Sequence, residues 1–167
     1  MLSTLIRAAA IVAIGASVST TLMIASAGPA SAAPTEAQKQ AIQARRGYYR
    51  MVALNFGPLV AMAKGEAPFD KDKASLHASN LELLANVDLT PVFPEGTDND
   101  AAFGETRALA KIWAELPEVT KKDDAFEAAA KAIAAAAPNG RDALRPAGGA
   151  LGQSCKGCHD AYRAKDF

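Results

Sequence analysis

Between residues 35 and 165 the apolar positions recur every three or four residues, and the two-residue alternation of a half-buried strand is scarce. This pattern predicts an all-α chain. Thr35 followed by Gln38 has the form of a capping box. A first helix is therefore expected from Thr35 to about Phe56, with Ile42, Tyr49, Val52 and Phe56 on its apolar face and a break or bend at Gly57–Pro58. Gly65 to Pro68 reads as a loop. A second helix is expected from an Asp70 N-cap to Asn86, with Ala74, Ala78, Leu81, Leu84 and Ala85 inward. Pro91, Pro94, Gly96 and Gly104 break up residues 89–104, which read as a crossover longer than most.

A short helix from Thr106 to Leu116 contains Trp113, and Pro117 heads a third long helix over about 118–137. Its Ala-rich run, Ala128 to Ala137, favours helix and close packing. Pro138-Asn139-Gly140 ends it. The fourth helix is expected to begin close to Arg145, because proline is tolerated best at a helix start and Pro146 follows, and to end near Lys165. No internal repeat is visible. Four main helices in one domain predict an antiparallel four-helix bundle.

Residues 8–28 break the pattern. They are mostly apolar and small, follow Arg7, and lead to Ala30-Ser31-Ala32, an A-x-A cleavage pattern. Residues 1–32 are expected to be a cleaved secretory signal peptide and residues 33–167 the mature domain. Ser17, Ser19, Thr20 and Thr21 interrupt the run and disfavour an uncleaved anchor. The full chain has 18 Lys and Arg against 18 Asp and Glu; loss of Arg7 leaves 17 against 18, a formal charge of −1. That balance gives no footprint for nucleic acid and no basic membrane patch. After cleavage no segment is long and apolar enough to span a bilayer.

The chemistry is concentrated in Cys155-Lys156-Gly157-Cys158-His159. C-x-x-C-H is the spacing at which c-type haem is attached. Two thiols form thioethers with the two vinyl groups of one porphyrin, and the imidazole that follows stands under the iron as proximal ligand. On a helix Cys155 and His159 are four residues apart and share a face. The competing readings lack support. A disulfide-exchange C-x-x-C belongs near a βαβ pattern, which is not evident. A closed zinc site needs four ligands, whereas the chain has two Cys and two His, and His77 is remote. A plain disulfide leaves His159 unexplained. The expectation is one covalent haem c with its iron on His159, in an exported protein whose cysteines are both occupied by the haem.

The stretch Gly152-Gln153-Ser154-Cys155-Lys156-Gly157-Cys158-His159-Asp160-Ala161-Tyr162-Arg163 resembles the C-terminal signature of the cytochromes c′, the class II c-type cytochromes. The first helix is similar to theirs too, with Arg45 four residues before Tyr49 and Phe56-Gly57 at the family's distance. Lys64-Gly65-Glu66-Ala67-Pro68-Phe69-Asp70 resembles their Lys-Gly-x-x-Pro-aromatic-Asp loop. Phe93 before Gly96-Thr97, Trp113 and Phe126 fall where related chains carry aromatics. The resemblance covers essentially all of 35–167, and it implies the four-helix bundle these cytochromes share.

The resemblance also implies a site. Cys155 and Cys158 hold the haem, His159 is the fifth ligand, and Arg163 matches the arginine that lies beside it and stacks on the imidazole. Arg45 matches the arginine near the haem propionates, Phe93 and Phe126 the pocket aromatics, and Tyr49 the residue over the open iron face. In high-spin members that last residue does not ligate; in low-spin relatives a Met there does. Met51 is two residues on, about 200° around the helix. If Arg45, Tyr49, Val52 and Phe56 face the haem, Met51 points to a neighbouring helix or a subunit partner. A neutral phenol is itself a poor iron ligand.

The expected function is a periplasmic haem protein with five-coordinate high-spin iron that binds nitric oxide and carbon monoxide, with dioxygen bound poorly. Electron transfer with an unknown redox partner is a companion role. The alternative is a low-spin, six-coordinate electron carrier. A peroxidase would want an acid–base group on the distal side; none is evident, and no catalytic residue is assigned. His77 and Lys121-Lys122-Asp123-Asp124 read as solvated, and Arg46 as solvated or a second propionate contact. Relatives form dimers through their first two helices, which an exposed Tyr48 and Met51 would suit, so a homodimer is expected.

Overall fold

The structure, a computed structural model, describes residues 33–166, and the expected signal peptide lies outside the described residues. Five helices follow in order: α1 (Glu36–Lys64), α2 (Lys71–Ala85), α3 (Lys111–Ala114), α4 (Leu116–Ala136) and α5 (Arg141–Tyr162). Single 3-10 turns stand at Thr90–Val92 and Ala137–Asn139. Among the described residues no strand forms; one isolated antiparallel bridge joins Ala108 to Arg163. α1 packs on α2 and α5, and α4 packs on the same two. The four long helices close a ring around one core, the predicted antiparallel bundle.

Local chemistry sets the helix ends. Thr35 Oγ1 accepts from Gln38 N at 3.3 Å, and Gln38 Oε1 accepts from Thr35 N at 2.8 Å. Asp70 Oδ1 caps α2 by accepting from Lys73 N at 3.0 Å. α1 stops at Gly65, whose φ of 81° is the left-handed conformation that glycine adopts without a Cβ penalty. Glu66 N then reaches back to Ala61 O at 2.9 Å.

Four expectations are corrected. α1 passes straight through Gly57–Pro58 to Lys64. Pro58 costs one bond, to the carbonyl of Leu54, and that turn faces outward, with Leu54 65% exposed, where water can replace it. Burial of Leu59, Met62 and Ala63 pulls the chain on as helix. α5 likewise starts at Arg141, four residues earlier than expected. Pro146 removes only the bond to Asp142, in an exposed first turn. α5 stops at Tyr162, short of Lys165, because Arg163 turns extended to pair with Ala108. The predicted helix over 106–116 shrinks to Lys111–Ala114, because residues 106–109 are captured by tertiary hydrogen bonds described below.

The core is tightest away from the C-x-x-C-H motif. Leu59, Leu81, Ile133, Leu144 and Leu151 are fully buried, with Ala74, Ala78, Ala130 and Ala137 in the narrow places between helices. Each buried Leu or Ile contributes about 1.5–3 kcal/mol relative to leaving it in water. The α1–α2 and α4–α5 connections lie at this closed end, where Arg145 Nε donates to Ala63 O at 3.3 Å. The crossover between α2 and α4 lies at the other end, with the motif.

Candidate haem site

Three helix segments meet at the crossover end: the first half of α1, the start of α4 and the last turns of α5. Cys155, Cys158 and His159 are half-buried on α5, and both thiols are free. Burial pushes both thiols up; beside Cys158 the Asp123 carboxylate adds to the effect. The His159 imidazole is pushed below its ordinary value, by burial first and then by the Arg163 and Arg107 guanidiniums. Neutral imidazole is the form that binds metal.

Arg163 Nη1 lies 3.3 Å from His159 Nδ1. A guanidinium can only donate, so as a hydrogen bond this contact requires a bare Nδ1. An imidazole that binds iron through Nε2 carries its proton on Nδ1, and Arg163 can then act on it only as a neighbouring charge. The backbone under Arg163 is held firmly. Leu109 N donates to Tyr162 O at 3.0 Å and Ala164 N to Arg107 O at 2.8 Å, on either side of the Ala108–Arg163 bridge. Tyr162, buried, donates its hydroxyl to Glu115 Oε2 at 3.0 Å.

On α1, Arg45 is 4% exposed. Its Nη1 donates to Val92 O at 3.3 Å and Thr97 Oγ1 at 3.1 Å; its Nη2 donates to Thr97 O at 2.7 Å and Thr106 Oγ1 at 2.9 Å. The guanidinium sits 4.7 Å from the centre of the Phe93 ring, and Trp113 Nε1 donates to Phe93 O at 3.0 Å. The four terminal N–H groups of Arg45 are thus spent on the crossover, and only Nε–H remains for a propionate. Phe93 lies in this Arg45–Trp113 cluster. Gly96 belongs to the same anchoring: its φ is 73°, and a Cβ there would stand 2.9 Å from Gln38 Nε2. Arg46 is the more exposed arginine, with Nη1 3.0 Å from Glu105 O.

Tyr49 is 44% exposed and meets Tyr48 edge to face at 5.0 Å. Its phenol is raised above the ordinary value, by burial first and then by Cys158 and Tyr48. Tyr48 is not exposed as expected: it is half-buried, donates to Leu84 O at 3.0 Å, and has its phenol pushed up to about 12 by burial. Met51 is 49% exposed; Met62 is buried, its sulfur 3.5 Å from Asp70 N. His77 is half-buried rather than solvated, with Nδ1 3.1 Å from Asn55 Oδ1. Each of these alternative iron ligands is thus placed or engaged elsewhere.

Phe126 is half-buried against the core. One turn earlier on α4, Lys121, Asp123 and Asp124 are exposed, as expected of a solvated face, and Lys122 is half-buried. Lys122 Nζ is 3.9 Å from where a Cβ on Gly157 would stand. The Asp123 carboxyl is raised by burial, then by Asp124 and Glu127. Thr97 and Thr106, both buried, were missed, and lone threonines in a loop carry no periodic signal.

The donor set fits a covalently attached haem. Among the described residues no group of three or more His, Cys, Asp or Glu could hold a metal ion. An iron bound here would take an imidazole from His159 and its other donors from a macrocycle, and the two free thiols of Cys155 and Cys158 would tether that macrocycle.

Residues 40–163 match the family model described as Cytochrome C′. The chain belongs to the cytochrome c′ family. It is 43% identical over 145 residues to a cytochrome c′ of Cereibacter sphaeroides, covering 87% of this chain and 95% of that one. It is 36% identical over 141 residues to cytochrome c-554 of the same organism, covering 83% and 90%. A solved nitric oxide complex of a variant cytochrome c′ from Alcaligenes xylosoxidans is similar with a TM-score of 0.68 at 30% identity, covering 78% of this chain and 100% of that one. Cytochromes c′ bind haem c covalently through cysteines, and Cys155 and Cys158 are the two this chain has.

Proposed function

We infer that this cytochrome c′ is an exported, periplasmic protein whose iron, held by His159, is five-coordinate and high-spin and binds nitric oxide and carbon monoxide. The observation that carries the reading is Tyr49: a non-ligating phenol, not a methionine, stands one turn after Arg45 on α1, while Met51 is exposed and Met62 and His77 are engaged elsewhere. When bound, the haem supplies one open coordination position. Tyr49 with its raised pKa stays neutral and screens that position from water. Phe93 and Phe126 line the pocket walls, Arg45 offers Nε–H to a propionate, and Arg163 sets a positive charge beside the proximal imidazole. One-electron exchange with a redox partner is the companion role of the same centre.

The dimer expectation finds support in an outward apolar stripe. Met51 and Leu54 on α1 and Leu76 and Leu83 on α2 are all exposed, and a second copy docked there would cover them. Tyr48, tied to Leu84, is not part of that stripe. Among the described residues no helix is long and apolar enough to cross a membrane.

The test is the absorption spectrum of the purified ferric and ferrous protein with and without carbon monoxide. A broad high-spin ferrous Soret band that sharpens and shifts with carbon monoxide is expected. Sharp α and β bands indifferent to the gas would overturn the reading in favour of a six-coordinate electron carrier.

A further inference from the structure

Arg45 lies on α1 and Arg163 just past the end of α5, and one short chain of hydrogen bonds joins them. Arg45 Nη2 donates to Thr106 Oγ1 at 2.9 Å. The same oxygen accepts from Ala108 N at 3.1 Å. Ala108 pairs with Arg163, and that bridge is flanked by the bonds from Leu109 N to Tyr162 O and from Ala164 N to Arg107 O. Arg163 N, at the end of α5, donates to His159 O at 3.2 Å, and its guanidinium stands beside the imidazole. Thr106 is the junction. It is buried, and its hydroxyl oxygen serves two donors that otherwise have no acceptor there.

We propose that Thr106 and Arg45 are positioning residues for the proximal side: they fix the 106–109 segment whose pairing to residues 162–164 holds the Arg163 charge beside His159. The physical basis is that a side chain is placed only as well as the backbone that carries it. Arg163 has left the helix, so α5 itself no longer constrains its φ and ψ. The constraint comes from the bridge, and the bridge partner is fixed from α1. A buried guanidinium that fills four acceptors is a rigid anchor, because each bond lost would leave a desolvated donor. Lysine cannot replace it, having one nitrogen in place of the fork.

The test uses the full haem-loaded protein and three variants, Thr106→Val, Thr106→Ser and Arg163→Ala. Valine keeps the shape of threonine and removes the acceptor; serine keeps the acceptor. Amide hydrogen exchange at Leu109, Arg163 and Ala164 should quicken by about tenfold or more in Thr106→Val, with the amides of Leu81 and Ile133 unchanged. The reduction potential should move in the direction set by Arg163→Ala, which removes a positive charge near the iron and lowers the potential. Thr106→Ser should restore both. The shift between variant and wild type can be measured whether the iron has five or six ligands, so this result stands apart from the gas-binding reading. The proposal is overturned if Thr106→Val leaves the potential unmoved, or if exchange rises equally throughout the bundle. Should Thr106→Val fail to accumulate, Thr106→Ala carries the same two readouts with the same outcomes.

Discussion

The two ends of this bundle are built on different terms. At the closed end the helices bury Leu59, Leu81, Ile133 and Leu144 completely, and two short connections seal the core. At the crossover end Tyr49, Phe126, Cys155, Cys158 and His159 all stay partly open, although Ile42 on the same half of α1 as Tyr49 is fully buried. The same four helices pass through both ends, so the difference lies in what fills the space between them. Aliphatic side chains fill the first. The second is left for a prosthetic group, and the chain compensates by tying its loose elements with buried polar bonds from Arg45, Thr97 and Thr106. The closed end supplies stability without chemistry; the open end trades packing for a site.

That division can be broken first at the tether. Replacing both Cys155 and Cys158 by Ser should abolish covalent haem, read by mass spectrometry of the denatured protein. Amides around Leu59 and Leu81 should stay protected from exchange; if they open as well, the two ends are one cooperative unit. Next comes the closed end itself. Leu81→Ala should cost about 2–5 kcal/mol in urea unfolding through a cavity at a fully buried site, with the haem spectrum unchanged.

Tyr49→Met sharpens the contrast from the other side. At a position 44% exposed it should alter stability by no more than about 1 kcal/mol. It should, however, bring sharp low-spin bands that no longer respond to carbon monoxide. An unchanged high-spin spectrum would show that residue 49 does not face the iron.

The smallest effect is alkaline. Tyr48 is held neutral in the fold, its phenol raised from 10.0 to about 12 by burial. A raised folded value means the stabilisation is complete below the unfolded value and fades as pH climbs through the folded one. Wild-type stability should therefore fall between about pH 10 and 12. Tyr48→Phe should flatten part of that slope in urea titrations at several pH values. Tyr49, raised as well, keeps the remainder.

The closed end was readable because periodicity reports burial. Ala74, Ala78, Leu81 and Ala85 were expected inward and are buried, and the Thr35 and Asp70 caps stand where local chemistry puts them. The motif was readable because its spacing is dictated by a covalent reaction. The failures cluster where a local preference met a tertiary constraint. Pro58 and Pro146 were read as helix limits, but each costs one outward-facing bond, and the burial of residues beyond them outweighs that.

The sequence by itself determined the four main helices, the Thr35 and Asp70 caps, the family and the cysteines that hold haem, because these depend on neighbours within about four positions or on a fixed covalent spacing. Only the tertiary structure decided that Arg45 spends its guanidinium on the crossover, that Thr106 accepts from both Arg45 and Ala108, and that Arg163 leaves the helix to lie beside His159. Those outcomes turn on hydrogen bonds between residues some 50 to 60 positions apart, and a buried donor finds its acceptor through the fold, not through the order of the chain.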